Sequence, residues 1–309
     1  MLQVSLSTMW AKDRFSHMAE FVVKARGLGF THIEANASIS PRMLSELIET
    51  TIPISSIHSP CPRVLSSRGI PVTGLSLSSL DKSVRMEAVS FTKKTMDLAS
   101  NVSAKAIVLH MGEVPIDLSL QDKLYKLYNK SRAQTKEYNQ AKEELIHQRI
   151  SQVPPYLEAA RKSLQDLSEY SCQKGIMLGL ETRLHFHEIP NMDEMAELLN
   201  GVQGSPVGYW HDVGHAEVQQ QLGFSLHEEW LSRFKHRMLG IHLHDVLGIS
   251  DHQAPGKGNI NWDMVAKYLP QGALKVCEIG EWNEEEQIRG VVNFLRKEGI
   301  VGHLGRTEK

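Results

Sequence analysis

The sequence predicts a parallel (β/α)₈ barrel, and three observations carry that reading. Eight short apolar segments alternate with about eight amphipathic ones along the 309 residues, the rhythm of an α/β fold. The third to eighth apolar segments each end in a histidine or a carboxylate, as barrel strands do where their C-terminal ends converge on one site. The competing architecture is an open, doubly wound sheet. Its first turn should carry a Gly-x-Gly-x-x-Gly motif, which is absent, and its single crevice cannot serve so many strand ends. The expected organisation is a single barrel domain over residues 1–309 with a helical insertion after strand four.

Residues 2–7 read as the first strand. Phe15, Met18, Phe21, Val22 and Ala25 recur at helical spacing, and Gly27 and Gly29 supply the stop. Residues 30–34 form the second strand. Pro41 opens a helix to Glu49, at a position where proline is tolerated. Residues 52–58 form the third strand, broken by Ser59-Pro60-Cys61-Pro62. The Ser-, Gly- and Pro-rich loop at 63–80 is long enough to suggest function or mobility. A helix over 82–101 leads to the fourth strand, 104–110. There the rhythm breaks. Residues 113–149 are mostly polar and charged, with Tyr125, Tyr128 and Tyr138 interspersed, and read as an inserted helical arm. The arm is a solvated helix pair, a lid or a homo-oligomer contact. Pro154-Pro155 then opens a separate helix, 156–174, closed by Gly175. Strands at 176–181, 207–212, 238–242 and 273–278 alternate with helices at 192–200, 226–234, 263–269 and 284–297. No repeat of 20 to 50 residues and no low-complexity segment interrupts them.

Composition bounds the partners. With 41% hydrophobic and 23% charged residues there is material for a sizeable core. A formal net charge of −2 gives no global pull toward nucleic acid or anionic membrane. No apolar run is long enough to span a bilayer. The first ten residues lack the charged region and long apolar core of a secretory signal. The three cysteines, Cys61, Cys172 and Cys277, are widely separated and show no zinc-type spacing. A cytoplasmic setting is expected, with Cys277 facing the helices as core.

The chemistry gathers around Ile241-His242-Leu243-His244-Asp245, where two histidines and a carboxylate crowd a strand end. Glu181, Asp212 and Glu278 end three further strands, and His58 and His110 two more. Any one of these is explained as a rim residue bonded to a neighbouring loop. Together they are not, because burying several carboxylates without a cation is costly. Imidazole and carboxylate suit a divalent metal of the zinc, manganese or iron class.

His58-Ser59-Pro60, His110-Met111-Gly112, Gly179-Leu180-Glu181, Asp212-Val213-Gly214-His215, His242-Leu243-His244-Asp245, Gly256-Lys257-Gly258 and Glu278 together resemble the xylose isomerase-like TIM barrels. That superfamily holds sugar isomerases, ketose epimerases and apurinic endonucleases, and the resemblance spans essentially the whole chain. It implies that Glu181, Asp212, His242 and Glu278 hold a principal divalent metal (Mn, Zn, Mg, Co or Fe), with His215 facing the substrate or a further metal. In the epimerase branch Glu181 and Glu278 would also act as acid and base on opposite faces of the carbon beside a carbonyl. The endonuclease branch would add His58 and His110 with Glu181 at a second metal, and His215 with His252 at a third. Ser250 stands where that branch expects an aspartate, with Asp251 displaced by one. Asp245 stands where the ketose epimerases carry glutamate, and Gly248 where they carry a basic residue. Arg183 and His187 are candidates for hydroxyl or phosphate contacts, and Lys257 for a phosphate. His244 would orient His242 or Asp245, or simply pack. The function expected is a metal-dependent sugar or sugar-phosphate isomerase or epimerase. A phosphodiesterase of the apurinic endonuclease type and a non-catalytic sugar-binding protein are the alternatives.

Overall fold

The computed structural model describes residues 3–302, so Leu2 of the expected first strand lies outside the described residues. Eight parallel strands close into a barrel: β1 (Ser5–Ser7), β2 (His32–Ala35), β3 (Ile54–His58), β4 (Ala106–Leu109), β5 (Met177–Glu181), β6 (Val207–Asp212), β7 (Met238–Leu243) and β8 (Leu274–Cys277). Closure is made by β1, where Leu6 pairs with Ile33 on one side and Cys277 on the other. Cys277 points outward into the core beneath the helices.

The barrel interior is filled by one large side chain. Trp210 of β6 is fully buried and clusters with Ala106, Val108, Leu274 and Val276. Glycines on the flanking strands make the room: a Cβ on Gly240 would lie 2.3 Å from the Trp210 ring, and one on Gly179 2.7 Å. Strand alternation then turns Tyr209 outward, against Trp230 and Phe234, and points Asp212 inward, two residues above Trp210. The His242 ring stands edge-on to Trp210, 5.3 Å away. Trp210 is thus the floor on which the polar strand ends rest.

The helices are α1 (Met18–Gly27), α2 (Pro41–Glu49), α3 (Lys82–Asn101), α4 (Leu118–Asn129), α5 (Lys136–Lys174), α6 (Met192–Gly201), α7 (Val213–Gln221), α8 (His227–Phe234), α9 (Trp262–Tyr268), α10 (Glu285–Ile288) and α11 (Val291–Lys297). Three differ from expectation. The helix expected over 284–297 is divided into α10 and α11 at Arg289-Gly290, where Gly290 takes φ 92. Pro154-Pro155 does not begin a helix: α5 runs through them for 39 residues, from the Thr135 cap to Gly175 at φ 68. The prolines lack the N–H groups that would bond the carbonyls of Ile150 and Ser151. Both residues are exposed, so water can take over those carbonyls. In turn, α7 has no amphipathic signature because residues 213–219 are all buried; periodicity cannot reveal a helix without a polar face.

The arm after β4 is a helix pair with an apolar seam between its helices. Leu124 and Leu127 of α4 close on Tyr138, Ala141 and Leu145 of α5 in an apolar seam that reaches Phe186 and Phe224. Two short antiparallel ribbons cover the strand ends: Gly112–Glu113 with Glu188–Ile189, and Asp245–Leu247 with Ser250–Gln253. Among the described residues, no helix is long and apolar enough to cross a membrane.

Candidate metal centre

Four strand ends bring Glu181, Asp212, His242 and Glu278 together, with one ligand-type atom from each lying within 4.8 Å of the others. His242 Nδ1 faces three carboxylate oxygens: Glu181 Oε1 at 2.6 Å, Glu278 Oε2 at 3.1 Å and Asp212 Oδ2 at 3.4 Å. One proton on one nitrogen cannot satisfy three anions. Asp212 Oδ2 is buried and makes no hydrogen bond, a state that demands a positive partner. Three carboxylates with one imidazole form a donor set for a divalent cation. The residues fit.

Their electrostatics agree. Burial alone would raise the Glu181 carboxyl, but His110, His242 and His58 outweigh it and hold Glu181 well below the usual carboxylate range. Glu278 is held down to about 2: burial opposes this, and His242, His252 and His58 prevail. Asp212 is held low against burial by His215, His244 and His242. Three carboxylates held ionised in one buried spot favour a positive partner.

The support around these four was only partly legible in sequence. Glu34, fully buried on β2, accepts from Ser56 Oγ at 2.7 Å and lies 3.1 Å from His242 Nε2. This is the carboxylate–histidine pairing that fixes the orientation of a ligand imidazole. An inward acid at the end of strand two was the available signal. His244 holds neither His242 nor Asp245. Its Nε2 bonds Asp212 Oδ1 at 2.9 Å. Asp245 is satisfied separately by the N–H groups of Val246, Gly256 and Ile260 and by Trp262 Nε1. The Gly256-Lys257-Gly258 turn therefore wraps Asp245. A Cβ on Gly258 would lie 2.4 Å from Asp245 Oδ1, and Lys257 is exposed and outside the cavity lining.

A cavity of about 500 Å³ opens above the cluster. His58, His110, Glu181 and Glu278 line it, with His215 and His252. Val72, Leu75 and Leu77 of the 63–80 loop wall one side, with Phe91 of α3. His110 Nε2 lies 2.6 Å from Glu181 Oε2 and His58 Nε2 3.6 Å from it, so these three also form a compact ligand-type group. His215 Nδ1 donates to Thr182 O at 2.9 Å, and its Nε2 lies 3.8 Å from Asp251 Oδ2. His252 stands between Asp251 (3.0 Å) and Glu278 (3.8 Å).

Arg183 lines the cavity but is heavily engaged. Its Nη1 bonds Glu181 Oε2 at 2.5 Å, and Nε and Nη2 both reach Glu188 Oε1. His187 is turned away, bonded to Gln121 of α4 at 3.0 Å. His185, which the sequence reading passed over, lines the cavity in its stead, with Nδ1 2.9 Å from Tyr125 OH of the arm.

Comparison with known proteins agrees with this architecture. The solved structure of a D-tagatose 3-epimerase-like protein superposes with a TM-score of 0.65 at 18% identity, covering 96% of each chain. That of 3-keto-D-glucoside 4-epimerase from E. coli gives 0.66 at 12%, covering 96% of this chain and 100% of the other. At such identities the likeness carries the fold alone. An uncharacterized protein of Methanocaldococcus jannaschii, MJ1614, is 24% identical over 211 residues, 68% of each chain. The family model described as xylose isomerase-like TIM barrel matches residues 22–298, and the chain belongs to that family.

Proposed function

We propose that this protein is a divalent-metal-dependent isomerase or epimerase of a sugar or sugar phosphate, working by proton transfer beside a carbonyl. The observation that carries the reading is a walled cavity of about 500 Å³ with the Glu181, Asp212, His242 and Glu278 cluster at its base. Such a volume suits a small ligand. The 63–80 loop covers one flank, an arrangement for excluding water rather than for admitting a duplex.

Glu181, Asp212, His242 and Glu278 would hold the cation, which when bound polarises a carbonyl and its neighbouring hydroxyl. The chain's own residues do the rest. Glu181 and Glu278 are both kept ionised, so either carboxylate can take the proton from the carbon next to the carbonyl. The other takes a proton from solvent water and delivers it to the opposite face, so that one proton leaves the carbon and one arrives. Arg183, fixed on Glu188, orients Glu181 through its Oε2. His215, which lines the cavity, forms a hydrogen bond through Nε2 with a substrate hydroxyl. His185 does the same at the far end, held by Tyr125. The test is turnover of a ketose panel in deuterated water with Mn²⁺. Deuterium should appear at the carbon beside the carbonyl, and retention of the original hydrogen counts against the proton-transfer mechanism.

A second reading has its own support. His58 and His110 with Glu181, and His215 beside His252 and Asp251, adjoin the principal cluster. A multi-metal phosphodiesterase of the apurinic endonuclease type uses that chemistry. It requires metal-dependent nicking of abasic duplex that weakens as salt rises. Such nicking, abolished by Glu181→Ala, would reverse the ranking. A protein that binds a sugar without turning it over would be the non-catalytic alternative.

A further inference from the structure

Asp212 is the one principal carboxylate whose two oxygens are sharply divided. Oδ1 accepts from the His215 backbone N–H at 2.7 Å and from His244 at 2.9 Å, whereas the buried Oδ2 has no hydrogen bond and faces the cluster. The state of His244 follows from its other contact. The His252 backbone N–H donates to His244 Nδ1 at 2.8 Å, so Nδ1 is an acceptor and the proton sits on Nε2, directed at Asp212 Oδ1. Both nitrogens are thereby used. Although His244 lies close to His215 and His252 in a group of ligand-type residues, it has no lone pair left for a cation.

A second observation concerns how the ring is seated. His244 is fully buried, stacked 4.2 Å from the His252 ring at 4°, and its other face lies on the first turn of α7. A Cβ on Gly214 would lie 2.0 Å from His244 Cε1 and 2.4 Å from Nδ1. Within Asp212-Val213-Gly214-His215, the glycine therefore makes the socket for an imidazole thirty residues further along the chain.

We propose that His244 is the positioning residue of the metal centre: its Nε2–H fixes Asp212 so that Oδ2 is presented to the cation, and its Nδ1 ties that carboxylate to the ribbon carrying His252. The inference rests on the metal-binding reading above and extends it to a residue outside the ligand set. It also gives the ribbon a role. Displacement of His252 pulls on His244, and through it on Asp212, so a ligand that moves the cavity wall alters the affinity of the metal below.

The experiment measures the Mn²⁺ and Zn²⁺ dissociation constants of the folded protein by competition with a chromophoric chelator, beside thermal unfolding of the metal-free protein. His244→Leu should weaken binding about 10- to 100-fold, the usual effect of losing such a partner. His244→Gln, whose amide can still donate to Asp212 Oδ1, should recover most of that loss, while the shorter His244→Asn should not. Gly214→Ala should weaken binding by a similar factor with His244 chemically intact. A merely structural role would lower the unfolding temperature of these variants while leaving the dissociation constant of the folded protein within about threefold of wild type, and that result overturns the proposal. If His244→Leu does not fold, the Gln, Asn and Gly214→Ala variants decide on the same criterion. Failure of the wild type to bind either cation overturns the metal-centre reading and this inference together. Wild-type binding that Asp212→Ala abolishes, with no change in any His244 variant, overturns this inference alone.

Discussion

Replacing Arg149 by Met tests how the inserted arm is anchored. Arg149, on α5, is 1% exposed and makes two 2.7 Å bonds to Glu194 of α6, with a third to Glu188 O at 2.9 Å. Methionine fills the space but leaves the buried Glu194 carboxylate with only the Asn191 N–H, at 2.9 Å, which it accepts as the N3 residue of the α6 capping box. Breaking a buried pair from one side costs about 3–5 kcal/mol. We therefore expect a loss of about 3–5 kcal/mol, measured by urea unfolding. Adding Glu194→Gln, which can preserve the capping box, should recover much of it. A loss below about 1 kcal/mol would refute the account of Arg149 as the partner of a buried charge.

Further expectations concern the site and the barrel. Glu181→Ala or Glu278→Ala should abolish stoichiometric binding of the principal cation, assayed by metal analysis after desalting; full retention in both would remove these residues from the ligand set. Gly240→Ala should destabilise by about 1–3 kcal/mol through overpacking against Trp210, and the loss should be smaller in Gly240→Ala with Trp210→Phe. Glu188 is held down to about 2: burial would raise it, but Arg183 outweighs that. Its contribution to stability is complete above its ordinary value of 4.5 and is lost as pH falls toward about 2. Glu188→Gln should remove that part of the acid limb of the stability profile, and an unchanged limb counts against the Arg183 pairing.

Much of the site was legible in the sequence because barrel strands make local pattern into geometry. An inward residue at a strand end must face the centre, so Glu181, Asp212, His242 and Glu278 could be expected at one centre with His58 and His110 from their positions, while the choice of the first four as a set came from the family resemblance. What could not be read is what each residue bonds sideways. Glu34 meets His242 across 208 positions, and nothing in the alternation of strand two distinguishes a partner of a ligand from an acid beside a loop. Nothing in the strand pattern reveals the use of Gly179 and Gly240, which leave the space that Trp210 fills. Helices failed where periodicity failed. A helix buried all round gives no stripe, as in α7, and an exposed proline pair resembles a start signal when its freed carbonyls face water, as in α5.

The shifted aspartate of the last motif shows why position-by-position matching misleads at irregular backbone. Ser250 occupies the expected place and Asp251 lies one residue on. In a regular strand a shift of one turns a side chain to the opposite face. The ribbon here is not regular: its register slips between Asp245 and Leu247, and His252 adopts φ 53, in the left-handed region rarely used outside glycine. That turn keeps Asp251 Oδ2 3.0 Å from His252 Nδ1 and 3.8 Å from His215 Nε2. Asp251 thus lies beside both histidines despite its displacement in sequence. The same residue also supplies the N–H that fixes His244, so one left-handed position sets both the group beside His215 and the support beneath Asp212.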